Sequence, residues 1–125
     1  MPIIQIQSNV KVSRKKIQDL MSQTAQTVSC ILEKPLNDVM VFFDPVHIYY
    51  SQNSEPAAFI EIICLSGAHI ENSRKITCEL ALLLEKQCSI PSDRVYIHII
   101  ETPAKNSWRL IQDKAVCPHD KKNIQ

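Results

Sequence analysis

The groups in this chain best suited to chemistry on a small molecule are Pro2, Lys34, Tyr96, His98 and five cysteines. Pro2 follows an initiator methionine, and an initiator Met before a small residue is ordinarily removed. The proline nitrogen would then be a terminal secondary amine; with Met1 attached it is an amide without basicity. A terminal amine sunk in an apolar pocket near a cation loses basicity, because its charged form is disfavoured. A pKa brought toward neutrality suits a general base. The plainer role for Pro2 is to open an edge strand, where its missing N–H costs little. Ile3, Leu65 and Trp108 are candidate apolar walls for such a pocket. Lys34 ends a helical stretch, where the helix dipole favours a cation. Tyr96 and His98 alternate along an extended segment and so face the same side. A strand Tyr is ordinarily core and a strand His a satisfied polar residue, although its charge follows pH near neutrality.

The cysteines (Cys30, Cys64, Cys78, Cys88 and Cys117) are odd in number and lack paired spacing. The sequence predicts reduced, partly buried thiols rather than a disulfide framework. Cys117-Pro118-His119-Asp120-Lys121-Lys122 offers a few metal donors without a matched second cluster, and is expected to be a mobile polar tail rather than a metal site. The single glycine, Gly67, excludes a glycine-rich phosphate loop. Net charge is +1 with scattered basic residues, which argues against nucleic acid as a partner. No apolar run approaches the ~18 residues of a membrane span. Met1 to Gln5 lacks a charged leader region, so a cytoplasmic location is expected, with unconventional secretion left open.

The elements that must position these groups emerge from self-comparison. When the chain is shifted by 56 residues, Pro2-Ile3-Ile4-Gln5-Ile6 lies over Ala58-Phe59-Ile60-Glu61-Ile62, and Pro35 to Val41 lies over Pro91 to Ile97. Leu20 falls on Ile76 and Val28 on Leu84. Each half reads as strand, helix, strand. The first has a strand at 2–7, a helix at 14–32 with Ile17, Leu20, Met21, Thr24, Val28 and Leu32 at helical spacing, and a strand at 39–43. The second has a strand at 58–65, a helix at 73–88 and a strand at 94–100. A further short strand is expected from Val46 to Tyr50, between turns at Asp44-Pro45 and Gln52-Asn53-Ser54. The fold class is thus α/β. Duplicated right-handed βαβ units build a four-stranded mixed sheet with two helices on one face.

Phe59-Ile60-Glu61-Ile62-Ile63 offers apolar side chains to both sides of that sheet. Two helices cover one side only. The second face needs another cover, most simply further copies of the chain in closed symmetry.

The opening Met1-Pro2-Ile3-Ile4, the Lys34-Pro35 after the first helix, Ser54-Glu55-Pro56 before the third strand and Ser92-Asp93-Arg94-Val95-Tyr96-Ile97 together resemble the tautomerase superfamily. The similar branch is that of macrophage migration inhibitory factor and D-dopachrome tautomerase. The resemblance spans residues 2–108, and implies a homotrimer whose sheets surround a central channel. It makes Pro2 the catalytic base. Lys34 would depress the proline pKa and pair with the substrate carboxylate. Tyr96 and His98 would reach into the neighbouring subunit's pocket, and Leu65 and Trp108 would form substrate-binding walls. The implied reaction is keto–enol tautomerisation of a small α-keto acid such as phenylpyruvate, with no metal or organic cofactor.

The chain also departs from that pattern. His98 stands where Asn is usual, and Asp38 where the animal proteins often have Tyr. The carboxy-terminal motif is reduced to Ser107-Trp108, followed by Arg109 to Lys114. Ala57-Ala58-Phe59-Ile60 replaces the Cys-x-x-Cys of some relatives, which leaves no thiol oxidoreductase. These departures motivate an alternative: a trimer of weak or no turnover that binds or signals to a protein partner. The expected organisation is one domain at 1–108, with repeat halves 2–50 and 58–108, and a polar extension at 109–125.

Overall fold

The computed structural model describes residues 1–65 and 70–117, the side chain of Ile70 excepted. Its main elements are β1 (Ile3–Ser8), α1 (Arg14–Leu32), β2 (Met40–Pro45), β3 (Ala58–Leu65), α2 (Ile70–Cys88), β4 (Val95–Thr102), β5 (Arg109–Ile111) and β6 (Lys114–Val116). The large sheet runs β2-β1-β3-β4. Its outer pairs, β1 with β2 and β3 with β4, are parallel, and the central pair β1 with β3 is antiparallel. This is the mixed four-stranded sheet that the duplication predicts.

The two halves also agree at the level of buried side chains. β1 buries Ile4, Ile6 and Ser8; β3 buries Ala58, Ile60, Ile62 and Cys64. Alternate residues of a strand share one face, so these form a single apolar surface. The register keeps that surface continuous: Ile4 lies beside Val41 on one side and Ile62 on the other, and Ile62 lies beside Ile99. Leu20, Thr24 and Val28 of α1 and Ile76, Leu80 and Leu84 of α2 are buried. Except for Thr24, these helix residues join Ile4, Ile6, Ala58, Ile60 and Ile62 in one hydrophobic core. Ser13 caps the amino end of α1, its hydroxyl accepting from the amide of Lys16. Ser8 is the polar residue inside the sheet layer, and it is satisfied. Its hydroxyl donates to the carbonyl of Ala57 at 2.6 Å and accepts from the amide of Val10.

The opposite face carries Ile3, Met40, Phe42, Phe59, Glu61, Ile63, Tyr96 and His98, and among the described residues no helix covers it. Met40 is 60% exposed and Tyr96 65% exposed.

Three segments correct the sequence expectations. The expected strand from Val46 to Tyr50 does not form. β2 is at the sheet edge, and its neighbour β1 ends at Ser8, whose carbonyl accepts the amide of Val46. Beyond that point no strand among the described residues offers a ladder. Tyr50 and Asn53 instead exchange two backbone hydrogen bonds around Ser51 and Gln52, both at positive φ. The second helix begins at Ile70 rather than at 73, matching the span of α1. The polar extension starts as a hairpin, β5 with β6, turning on Gln112 and Asp113 at positive φ. Val116 and Cys117 at its end are buried, so Cys117 is not part of a mobile tail; residues 118–122 of that expectation lie outside the described residues.

Candidate active site

A cleft of about 580 Å³ opens on the helix-free side of the sheet, where the start of β1 meets the ends of β3 and β4. Its size suits a small organic acid. Period-two alternation puts Ile3, Ile63 and Leu65 on this side, and with Val39 and Met40 they make the apolar wall. The polar lining is Lys34, Asn37, Asp38, Thr102, Asn106, Ser107 and Arg109, and the carboxy-terminal segment closes the far side with Trp108, Val116 and Cys117.

Lys34 is delivered by the way α1 stops. Glu33 takes a left-handed conformation (φ 54°, ψ 48°), its amide bonding back to the carbonyl of Cys30 and that of Lys34 to the carbonyl of Ser29. The Ser29 hydroxyl holds the carbonyl of Lys34 in turn. The chain therefore reverses at a fixed angle, and the half-buried lysine side chain lines the cleft. Its charge is also felt by Cys64 on the core side of β3. That thiol has its pKa raised by burial first and by the carboxylate of Glu101 second, with Lys34 opposing both.

Pro2 lies between two residues that line the cleft, Met1 and Ile3. Its side chain is fully buried, and its carbonyl accepts the amide of Met40 at 3.1 Å. Met1 lies against the cleft, with its amino group donating to the backbone carbonyl of Asp38 at 3.1 Å. In this form the proline nitrogen is an amide. Trp108 is 59% exposed at the rim, with its indole N–H donated to the carbonyl of Lys105 at 2.7 Å.

The cleft thus unites Ile3, Lys34, Leu65 and Trp108; buried Pro2 adjoins it in sequence but is not among its lining residues, and Tyr96 and His98 are elsewhere in the chain. Tyr96 lines a separate hollow of about 330 Å³ with Tyr49, Tyr50, Phe59 and Arg94. His98 projects from β4 beside its cross-strand neighbour Glu61, Nδ1 to Oε2 at 3.8 Å. Arg94 has a structural task. Its three guanidinium nitrogens donate to the carbonyls of Pro56, Tyr50 and Glu55, and it stacks over the Tyr50 ring at 5.3 Å.

A sequence profile of the macrophage migration inhibitory factor family matches residues 1–109. The chain belongs to that family. A macrophage migration inhibitory factor homolog of Trichinella spiralis is 30% identical over 101 residues, 80% of this chain and 88% of the relative. Macrophage migration inhibitory factor of Toxoplasma gondii superposes with a TM-score of 0.81 at 22% identity, covering 91% of this chain and 99% of that one. The migration-inhibitory-factor-like protein of Entamoeba histolytica gives 0.82 at 16% identity, covering 92% and 98%. A further structure of this fold, solved after inactivation by 2-oxo-3-pentynoate, gives 0.79 at 17% identity, covering 86% and 91%.

For a member of the macrophage migration inhibitory factor family, this cleft has several lining residues that sequence reasoning did not assign to the site, Arg109 foremost among them. Arg109 reaches back across the chain, its Nη2 donating to Oδ1 of Asp38 at 2.9 Å. No local pattern announces such a contact, because a hairpin brings it about 71 residues downstream of Asp38. Ile63 was also missed, although its alternation with Leu65 was visible. Among the described residues no helix is long and apolar enough to cross a membrane.

Proposed function

We propose that the chain is a keto–enol tautomerase of small α-keto acids, with phenylpyruvate as the model substrate and the nitrogen of Pro2 as general base after loss of Met1. The observation that carries this reading is a Lys34-lined apolar cleft bordered by Met1 and Ile3, the residues on either side of Pro2, in a chain of this family. Once Met1 is gone, the proline nitrogen is a secondary amine beside Ile3, in surroundings that favour its neutral form. It takes a proton from the carbon next to the substrate carbonyl, and the electron pair of that C–H bond moves to form the enolate. Lys34 holds the carboxylate. Proton delivery to the carbonyl oxygen completes the enol. The compound that inactivated one fold relative is itself a 2-oxo acid, which agrees with this substrate class.

In this reading Tyr96 and His98 act from a neighbouring copy, as hydrogen-bonding groups for the developing oxyanion. The apolar face bearing Met40, Phe42 and Tyr96 supports a homotrimer, since no part of the described chain covers it. The rival reading is a trimer kept for binding, with little turnover. It draws on His98, which lies beside Glu61 rather than standing ready for a substrate.

The deciding experiment assays phenylpyruvate tautomerisation by two preparations, one processed to Pro2 and one shown by mass spectrometry to retain Met1. The proposal expects activity in the first and none in the second. Equal rates would remove Pro2 from the mechanism, and no activity in either would favour the binding protein.

A further inference from the structure

The cleft is lined by two cationic side chains from distant parts of the chain, Lys34 after α1 and Arg109 at the start of β5. An α-keto monoacid uses one of them. The Arg109 side chain makes a single hydrogen bond to the described residues, from Nη2 to Asp38, and is 47% exposed. A guanidinium carries five N–H donors in a planar fork, so one edge can hold Asp38 while another takes a second carboxylate. The Asp38 contact is a partly exposed, one-bond ion pair of the kind that contributes little on its own. Its effect here is to fix the direction of the fork. Between the two cations the wall is apolar: Ile3, Val39, Ile63 and Leu65.

We infer that Arg109 is a specificity residue that receives a second anionic group, so that the cleft is matched to α-keto diacids with an apolar, preferably aryl, spacer. This rests on the cleft being the substrate site proposed above. Lys34 binds the keto-acid carboxylate near Pro2, and Arg109 binds the remote carboxylate at the mouth. Asp38 repels that carboxylate while orienting its receptor, which keeps the gain moderate.

The test measures equilibrium binding of phenylpyruvate and of 4-carboxyphenylpyruvate to the processed protein and to its Arg109→Gln and Arg109→Lys variants. These acids differ only by the remote carboxylate, so the monoacid reports the integrity of each variant's cleft. The wild-type protein should bind the diacid about tenfold more tightly, the scale of one charge-assisted hydrogen bond. Arg109→Gln should erase that preference, weakening the diacid about tenfold more than the monoacid, and Arg109→Lys should retain part of it. Equal affinity of the wild type for both acids, or an equal loss for both in Arg109→Gln, would overturn the inference. Because binding needs no turnover, a diacid preference without tautomerisation would uphold Arg109 and sink the tautomerase reading. Tautomerisation without the preference would do the reverse, and failure of both acids to bind would sink both.

Discussion

Glu33 and Ser89 occupy equivalent places in the two halves, one residue past each long helix, and share a left-handed backbone with φ of 54° and 55°. Both turn the chain toward its next strand, and neither is glycine. A side chain with a Cβ is strained in this conformation, whereas glycine is not. Glu33→Gly and Ser89→Gly should therefore each stabilise the fold by about 0.5–1 kcal/mol, net of the greater freedom of the unfolded chain. Thermal unfolding should show each variant's midpoint raised by a few degrees; a fall in both would mean that the native side chains stabilise these caps.

Why the halves were legible and the site only partly so follows from the same residues. Ile4, Ile6, Leu20 and Val28 recur as Ile60, Ile62, Ile76 and Leu84, and burial selects the same kind of side chain at the same place in each unit. The repeat therefore projects directly into strands, helices and one core face. Lys34 was legible for a related reason, since it lies at the helix end that the Lys34-Pro35 junction marks. Arg109 was not, because its contact with Asp38 depends on a fold-back with no periodic signal. Val46 to Tyr50 misled in the opposite direction. Its apolar and aromatic residues have strand character, but strand character without a ladder partner in the chain gives only an extended segment and a tight turn.

The two faces of β3 should separate stability from binding. Ile62 is fully buried in the helix-facing core, while its neighbour Ile63 lines the cleft. Ile62→Ala should lower unfolding stability by about 2–5 kcal/mol, as other large-to-small core changes do. Ile63→Ala should leave the melting curve nearly in place and weaken phenylpyruvate binding. Denaturant titration and ligand titration of the two variants check both halves of this expectation, and a larger stability loss at Ile63 would contradict the assigned faces.

The five cysteines should divide by position. Cys30 and Cys78 are exposed, and Cys64 and Cys117 are buried. Mild alkylation of the native protein followed by peptide mass mapping should label the first pair well before the second. Burial holds the thiols of Cys64 and Cys88 above the ordinary value of 9.0, the nearby Lys16 partly opposing it at Cys88. A raised folded pKa means that the unfolded chain releases its proton first. The stability linked to these thiols is therefore present below about pH 9 and lost as pH rises through their folded values. Replacing Cys64 with Ala should flatten the alkaline fall in stability measured above pH 9. An unchanged profile would locate that fall in other groups.

The proposed division of the active site between copies has a direct genetic-style test. Within one chain Tyr96 and His98 lie away from the cleft, so a site using them together with Pro2 must draw on two subunits. A chain that retains Met1 has no amine at Pro2 but keeps Tyr96 and His98. A processed chain with Tyr96→Ala and His98→Ala has the amine but lacks those partners. Each homotrimer should be nearly inactive on phenylpyruvate. When the two are refolded together in equal amounts, random mixing in a closed ring places an intact Pro2 beside intact partner residues at about a quarter of the sites. Roughly a quarter of wild-type activity should then return, although neither parent has it, and mixing without refolding should return none until subunits exchange. Native mass spectrometry verifies that mixed trimers have formed. If they form and activity stays at the level of the parents, the neighbour's Tyr96 and His98 do not complete the site, and the oxyanion must be met by groups in the Pro2 chain itself.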